Sequence, residues 1–268
     1  MSHKENIHST AIIHPKAKIH ETVTVGPYTC IGENVSIGEG TKIGNHVNIT
    51  GNTKIGLNNK IFHSSSLGEA PQDMKYADEP TRLIIGDNNT VREFCTFNVG
   101  TIQDQGITEI GNSNWFMAYV HVAHDCIVGD NNIFANNAGL AGHVTIHDFI
   151  MLGAFTAVHQ FCKIGSHAIT MGGTLLTQDI PPFVRAVHRG GATVKPNGIN
   201  SEGLKRRDFS AEKISIIKKA YKIIYRDNNT IEEAKVELSL LTKEVPEINL
   251  FIELINQSSR GLIYKFDE

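Results

Sequence analysis

Imidazole and carboxylate side chains crowd one stretch of this 268-residue chain at a fixed interval. His121, His124 and Asp125 lie together, Gly142 and His143 follow His124 and Asp125 by 18 residues, and Gln160, with His159 beside it, follows Gly142 by another 18. An imidazole next to a carboxylate can serve as a general base with its own orienting group, and a glycine N–H can bind a developing oxyanion. The alternative is ordinary packing. The chain has 13 histidines, and His14, His20, His46, His63 and His147 read as exposed corner residues.

An interval of 18 has a structural cause. Every sixth residue from Ile7 is aliphatic at eleven positions in a row: Ile7, Ile13, Ile19, Val25, Ile31, Ile37, Ile43, Ile49, Ile55, Ile61 and Leu67. A second run joins Ile110, Phe116, Val122, Val128, Phe134, Leu140, Ile146, Leu152, Val158 and Ile164, and a short one between them holds Ile85, Val91 and Phe97. A period of six fits neither an amphipathic helix nor an alternating strand. It fits short strands joined by tight corners, with small residues such as Thr29, Val35 and Thr41 in the second inward slot. Three sides make one 18-residue coil, and coils stack at one strand spacing of about 4.8 Å. Glycine follows the aliphatic repeatedly, as at Gly26, Gly32, Gly111 and Gly129, where unusual backbone angles are expected. His124, Gly142 and Gln160 then form one column, and Asp125 and His143 another.

The frame breaks twice. Asp73 and Glu79 occupy aliphatic slots, so residues 69–80 should leave the prism as a loop. A 13-residue gap between Phe97 and Ile110 places a second excursion at about 98–109. Loops on a rigid scaffold are where binding groups concentrate. Of the 24 glycines, only Gly203 and Gly261 lie beyond residue 202. The expected organisation is therefore a prism over 1–200 and a helical region over 201–268. In that region Ser210 can cap a helix bearing Ile214, Ile217, Tyr221, Ile224 and Tyr225. Thr230 and Glu233 form a capping box, and Pro246 can open a third helix.

Composition narrows the function classes. The 25 Lys and Arg against 28 Asp and Glu give a net charge of −3, which disfavours bulk nucleic-acid binding. No apolar run reaches membrane-spanning length. The first six residues meet no apolar stretch, so no secretory leader is expected, and a cytoplasmic setting follows. Cys30, Cys95, Cys126 and Cys162 form no metal or redox motif. Residues 203–226 carry eight basic groups against Asp208 and Glu212, a face suited to an acidic partner or simply a solvated helix.

The strings His121-Val-Ala-His124-Asp125-Cys126, Ala135-Asn-Asn-Ala, Ala141-Gly142-His143-Val144, Ala157-Val-His159-Gln160-Phe161-Cys162 and Glu202-Gly-Leu-Lys-Arg-Arg207 resemble those of the UDP-N-acetylglucosamine O-acyltransferases, over essentially the whole chain. The resemblance implies a left-handed parallel β-helix and a homotrimer. It also implies transfer of a 3-hydroxyacyl chain from acyl carrier protein to the sugar 3-hydroxyl, the first step of lipid A synthesis, with no metal or dissociable cofactor. His124 would be the base, Asp125 its partner and Gly142 the oxyanion donor. Gln72, Asp73, Lys75, His121, His143, His159 and Gln160 would contact substrate, as would Asn200, Glu202, Arg206 and Arg207. Met171 and Gly172 would limit the acyl groove, with Gly172 leaving room for a long chain. The basic stretch would dock the carrier protein. Asn98 and Val99 depart from the family's pattern, which keeps a 3-amino sugar acceptor as an alternative. A γ-type carbonic anhydrase shares the prism and holds zinc through three histidines, for which His121, His124 and His143 are the candidates. A non-catalytic scaffold is a third reading.

Overall fold

Each six-residue step supplies inward side chains and then turns, so the strands are mostly only two residues long, as at Ile12–Ile13 and Lys18–Ile19. The computed structural model describes residues 6–188 and 193–264. The opening residues read above for a leader lie almost wholly outside them. Successive strands fall on three faces in turn, building sheets of nine, eight and ten strands among the described residues. Paired residues stand 18 apart, Ile12 against Cys30 and Ile13 against Ile31. The architecture is a left-handed parallel β-helix followed by a C-terminal helical region.

The periodic aliphatics make the core. Every member of the second run, from Ile110 to Ile164, is buried, as are Thr29, Thr41 and Thr53 in the other inward slot. Phe97, Phe116 and Phe134 stack up the axis at 5.0 and 4.6 Å between ring centroids. Burial of each such side chain contributes about 1.5–3 kcal/mol before chain entropy is subtracted.

The corner glycines have a different cause from the one expected. Gly26 and Gly111 do not adopt positive φ; that conformation falls two residues later, at Tyr28 and Ser113. The glycines are required by close approach. A Cβ on Gly26 would lie 2.7 Å from the Gly44 carbonyl of the next coil, and one on Gly111 would lie 2.7 Å from the Gly129 oxygen.

Both loops appear. The chain leaves between Ser66–Glu69 and Arg82–Ile85, and again between Thr96–Asn98 and Ile107–Ile110. Stacking resumes across each, with Ser66 paired to Thr96 and Thr96 to His121. Both loops emerge at the corner between the first and second faces.

At the far end the third face closes with a hairpin, Val184–His188 against Val194–Ile199, which is antiparallel. Among the described residues four α-helices follow: α1 (Ser201–Lys205), α2 (Ala211–Tyr225), α3 (Ile231–Leu241) and α4 (Asn249–Gln257). Ser210 caps α2, and Thr230 with Glu233 caps α3 reciprocally. Pro246 opens a 3-10 turn over Pro246–Ile248 rather than α4 itself. The short α1, capped by Asn200, was not expected from the pattern. Wholly buried Asp179 joins the two regions, accepting the Lys163 N–H at 2.6 Å and the Ser258 hydroxyl at 2.5 Å. Two of the histidines read as exposed are half-buried. His63 packs edge-on against Phe94, and His147 lines a small gap beneath Leu250 and Leu254 of α4.

Candidate active site

His124 and Asp125 sit in the turn that follows the first-face strand His121–Val122, at the same corner as the two loops. Asp125 adopts φ 57°, and its column mates His143 and Phe161 adopt 62° and 66°. Positive φ swings these side chains outward from the corner, where a flat strand would have laid them along a face. His124 Nδ1 lies 2.9 Å from Asp125 Oδ2. Only 8% of His124 and 4% of Asp125 is exposed, so the pair is shielded while the ring edge still reaches solvent.

Thr101, in the second loop, fixes Asp125. Its N–H donates to Oδ1 at 2.9 Å and Oδ2 at 3.1 Å, and its hydroxyl donates to Oδ2 at 2.6 Å. Burial pushes the Asp125 carboxyl up, but the hydrogen bonds from His124 and Thr101 outweigh it and hold the group below the usual carboxylate range. An ionised Asp125 accepting the Nδ1 proton leaves His124 Nε2 as the free basic nitrogen.

Gly142 is the next step in the His124 column. A Cβ there would lie 2.5 Å from Cε1 and 2.7 Å from Nε2 of His124, so only glycine lets the coil close against that ring. Its carbonyl accepts the Phe161 N–H at 3.3 Å, whereas its own N–H finds no acceptor among the described residues. A basic nitrogen and a free N–H therefore stand side by side, as a base and an oxyanion donor require.

His143 lies flat on Phe161, with centroids 4.5 Å apart, and edge-on to His124 at 5.0 Å. Its Nδ1 is 2.9 Å from Asp104 Oδ2. These side chains, with the first loop, enclose a cleft of about 820 Å³. His124, His143 and Gln160 line it, as the 18-residue spacing anticipated, and so do Gln72, Asp73 and Lys75, which the family resemblance implied. Met74, Gln103, Asp104 and Phe161 also line it and were not anticipated, nor was Thr101.

Other expected site residues lie elsewhere in the chain. His121 is on the strand rather than in the turn, with Nδ1 2.8 Å from the Thr96 hydroxyl, and burial lowers its pKa. His159 turns toward Arg260, whose guanidinium is 3.2 Å away. Asn200 and Glu202 line a separate cleft of about 640 Å³ with Arg185, Lys218, Lys222 and Arg226. Arg206 follows α1 and is exposed. Arg207 lies over the Phe149 ring at 5.1 Å and beside His167. Met171 and Gly172 occupy the corner between the third and first faces. The basic stretch is not one free face: Lys205 pairs with Glu202 at 2.8 Å and Lys213 with Glu247 at 2.6 Å.

The three-histidine zinc set does not form. The cluster with metal-type spacing is His124, Asp125 and His143, within 4.8 Å of one another, and both Nδ1 atoms face a carboxylate. Burial pushes the Cys95 and Cys126 thiols up to about 12 and Cys162 up to about 11, as expected of packing residues.

Known proteins match this chain in both sequence and fold. Domain 2 of the Udp N-acetylglucosamine O-acyltransferase family matches residues 179–263, and the bacterial transferase hexapeptide family matches 107–142. The acyl-[acyl-carrier-protein]–UDP-N-acetylglucosamine O-acyltransferases of a Janthinobacterium species and of Herminiimonas arsenicoxydans are 57% and 56% identical to this chain, each over 96% of it and 98% of their own length. The UDP-N-acetylglucosamine acyltransferase structure from Francisella novicida superposes with a TM-score of 0.94 at 40% identity, covering 97% of this chain and 94% of that one. The O-acyltransferase from Moraxella catarrhalis gives 0.94 at 44% identity, covering 96% and 99%. With that identity and that superposition each running over nearly the whole chain, this protein belongs to the UDP-N-acetylglucosamine O-acyltransferase family.

Proposed function

We propose that the protein transfers a 3-hydroxyacyl chain from the thioester of acyl carrier protein to the 3-hydroxyl of UDP-N-acetylglucosamine, the reaction that opens lipid A synthesis. The observation that carries this reading is the His124–Asp125 pair abutting the free N–H of Gly142 in a cleft lined by Gln72, Asp73 and Lys75. His124 Nε2 takes the proton of the 3-hydroxyl, and the oxygen attacks the thioester carbonyl. Asp125 holds the Nδ1 proton and stabilises the imidazolium. Gly142 N–H receives the oxyanion of the tetrahedral intermediate. Collapse breaks the carbon–sulfur bond, and the departing thiolate takes the proton back from Nε2. The thioester itself supplies the activation.

A cleft on the outside of a prism has few walls; Met74 and Phe161 remain exposed. A homotrimer supplies the rest. His159 lies near the sugar and diphosphate, Asn200, Glu202, Arg206 and Arg207 hold the nucleotide from a neighbouring subunit, and the cations Lys218, Lys222 and Arg226, without an ion-pair partner among the described residues, face an acidic carrier protein. His121 contacts the sugar from the adjoining strand. Gly172, beside Met171, leaves the acyl groove open to a long chain. The reaction takes place in the cytoplasm, where carrier-protein thioesters are made; no helix among the described residues is long and apolar enough to cross a membrane.

The test offers UDP-N-acetylglucosamine and its 3-amino analogue side by side, with carrier-protein thioesters of graded length. An O-acyl product, best with long chains, is the expected result. Acylation of the amino sugar alone would overturn the acceptor assignment, and a preference for the shortest chains would overturn the role of Gly172.

A further inference from the structure

Two carboxylates flank one ring nitrogen in this site. His143 Nδ1 is 2.9 Å from Asp104 Oδ2 and 4.0 Å from Asp125 Oδ2. That Asp125 oxygen already serves His124 at 2.9 Å and the Thr101 hydroxyl at 2.6 Å. An Nδ1–H on His143 without a partner of its own would turn to the next acceptor, and the next acceptor is the one that orients His124. The ring is free to make that choice only in its plane, because Phe161 stacks on its face at 4.5 Å with an 8° tilt. Asp104 lies in the loop where the six-residue frame slips, and its N–H is held by the Thr101 carbonyl at 3.3 Å. The same short loop thus delivers Thr101 to Asp125 and Asp104 to His143.

We propose that Asp104 is a positioning residue that binds the Nδ1 proton of His143 and so reserves Asp125 for His124. With Nδ1 engaged, His143 presents Nε2 to the cleft as an acceptor for a hydroxyl of the sugar, and the two imidazoles act without sharing a carboxylate. This inference rests on the acyl-transfer reading for its kinetic consequence but not for its structural one.

The test uses the full-length protein with Asp104→Ala, Asp104→Asn and Asp104→Glu, each alone, and Asp104→Ala combined with His143→Phe. Nitrogen-15 NMR of the imidazoles should show the proton of His143 on Nδ1 in the parent and a mixture of tautomers in Asp104→Ala. Loss of one hydrogen bond to a charged acceptor is expected to lower kcat about tenfold. Asp104→Glu should recover part of it and Asp104→Asn less. On the His143→Phe background, removing Asp104 should cost nothing further, since its effect passes through that ring. An unchanged His143 tautomer in Asp104→Ala, or an equal loss with and without His143, would overturn the inference. Absence of acyl transfer in the parent would instead overturn the functional reading and leave the tautomer experiment to decide this one.

Discussion

The corner between the second and third faces carries Asp130 and Asp148 on the same coils that carry His124 and His143, with the same left-handed residues at its turns. There both of these carboxylates are committed to the frame. Asp148 Oδ1 accepts the Asp130 N–H at 2.8 Å, and Asp130 Oδ1 accepts the Asn112 N–H at 2.6 Å. At the first corner the acids bond to imidazoles and to a loop, and among the described residues the Nε2 atoms of His124 and His143 and one backbone N–H are left over. Identical backbone geometry builds scaffold in one place and a reactive site in the other. What separates them is which polar groups the fold leaves unused.

The strongest way to break that contrast is at His124. His124→Ala should lower transfer by about 10²–10⁴-fold with the fold intact, and retention of a tenth of the parent rate would rule out His124 as the base. Glycine substitutions sharpen it next. Gly142→Ala pushes a methyl into the His124 ring and should cut kcat about 10²-fold with little change in melting temperature. Gly111→Ala, at the other corner, meets the Gly129 backbone and the Asp130 carboxylate and should lower the melting temperature while each folded molecule keeps its activity. If both variants lose the same property, the corners do not differ as described. A smaller effect is expected at Thr101. Thr101→Val, which loses the hydroxyl on Asp125, should reduce kcat about tenfold, and Thr101→Ser should restore most of it.

The smallest effect should appear at the scaffold corner and only in acid. His167 is stacked between Phe149 and Phe183 at 5.0 and 5.3 Å. Burial, with Arg207 nearby, lowers its pKa to about 4. The unfolded chain, near 6.5, takes up the proton first, so folding stability falls as pH drops from about 6.5 to about 4, by at most about 3 kcal/mol. His167→Phe continues the aromatic stack and should remove that slope in urea titrations, leaving activity at pH 7.5 unchanged. A slope that persists would assign the acid loss to other groups.

The sequence disclosed whatever repeats. Eleven aliphatics at one spacing define the prism, and 18-residue arithmetic places Gly142 against His124 and His143 against Asp125, because stacked coils leave no freedom in register. It was silent where the repeat stops. Thr101 and Asp104 stand 24 and 39 residues from their partners, inside a gap with no frame, so no counting rule brings them to the site. Asp104 would have needed the path of the loop itself. The glycines were assigned the wrong cause for a related reason: spacing shows where a side chain is not tolerated, but only the neighbouring coil shows that a clash, rather than a torsion angle, forbids it. His147 could not be read as half-buried, because what covers it is α4, more than a hundred residues away.

The antiparallel hairpin that closes the third face bears on solubility. A parallel β-helix is a stack whose every coil is a template for the next, and molecules with two such ends can join into filaments. Here the strand Val194–Ile199 runs backwards, carries Pro196 and lies against α2, while the second face ends in a bridge from Asp179 to Leu262. A further coil needs all three faces at once, so none can be nucleated at this end. Whatever the opposite end does, end-to-end contact stops at a pair of molecules and cannot propagate into a fibre.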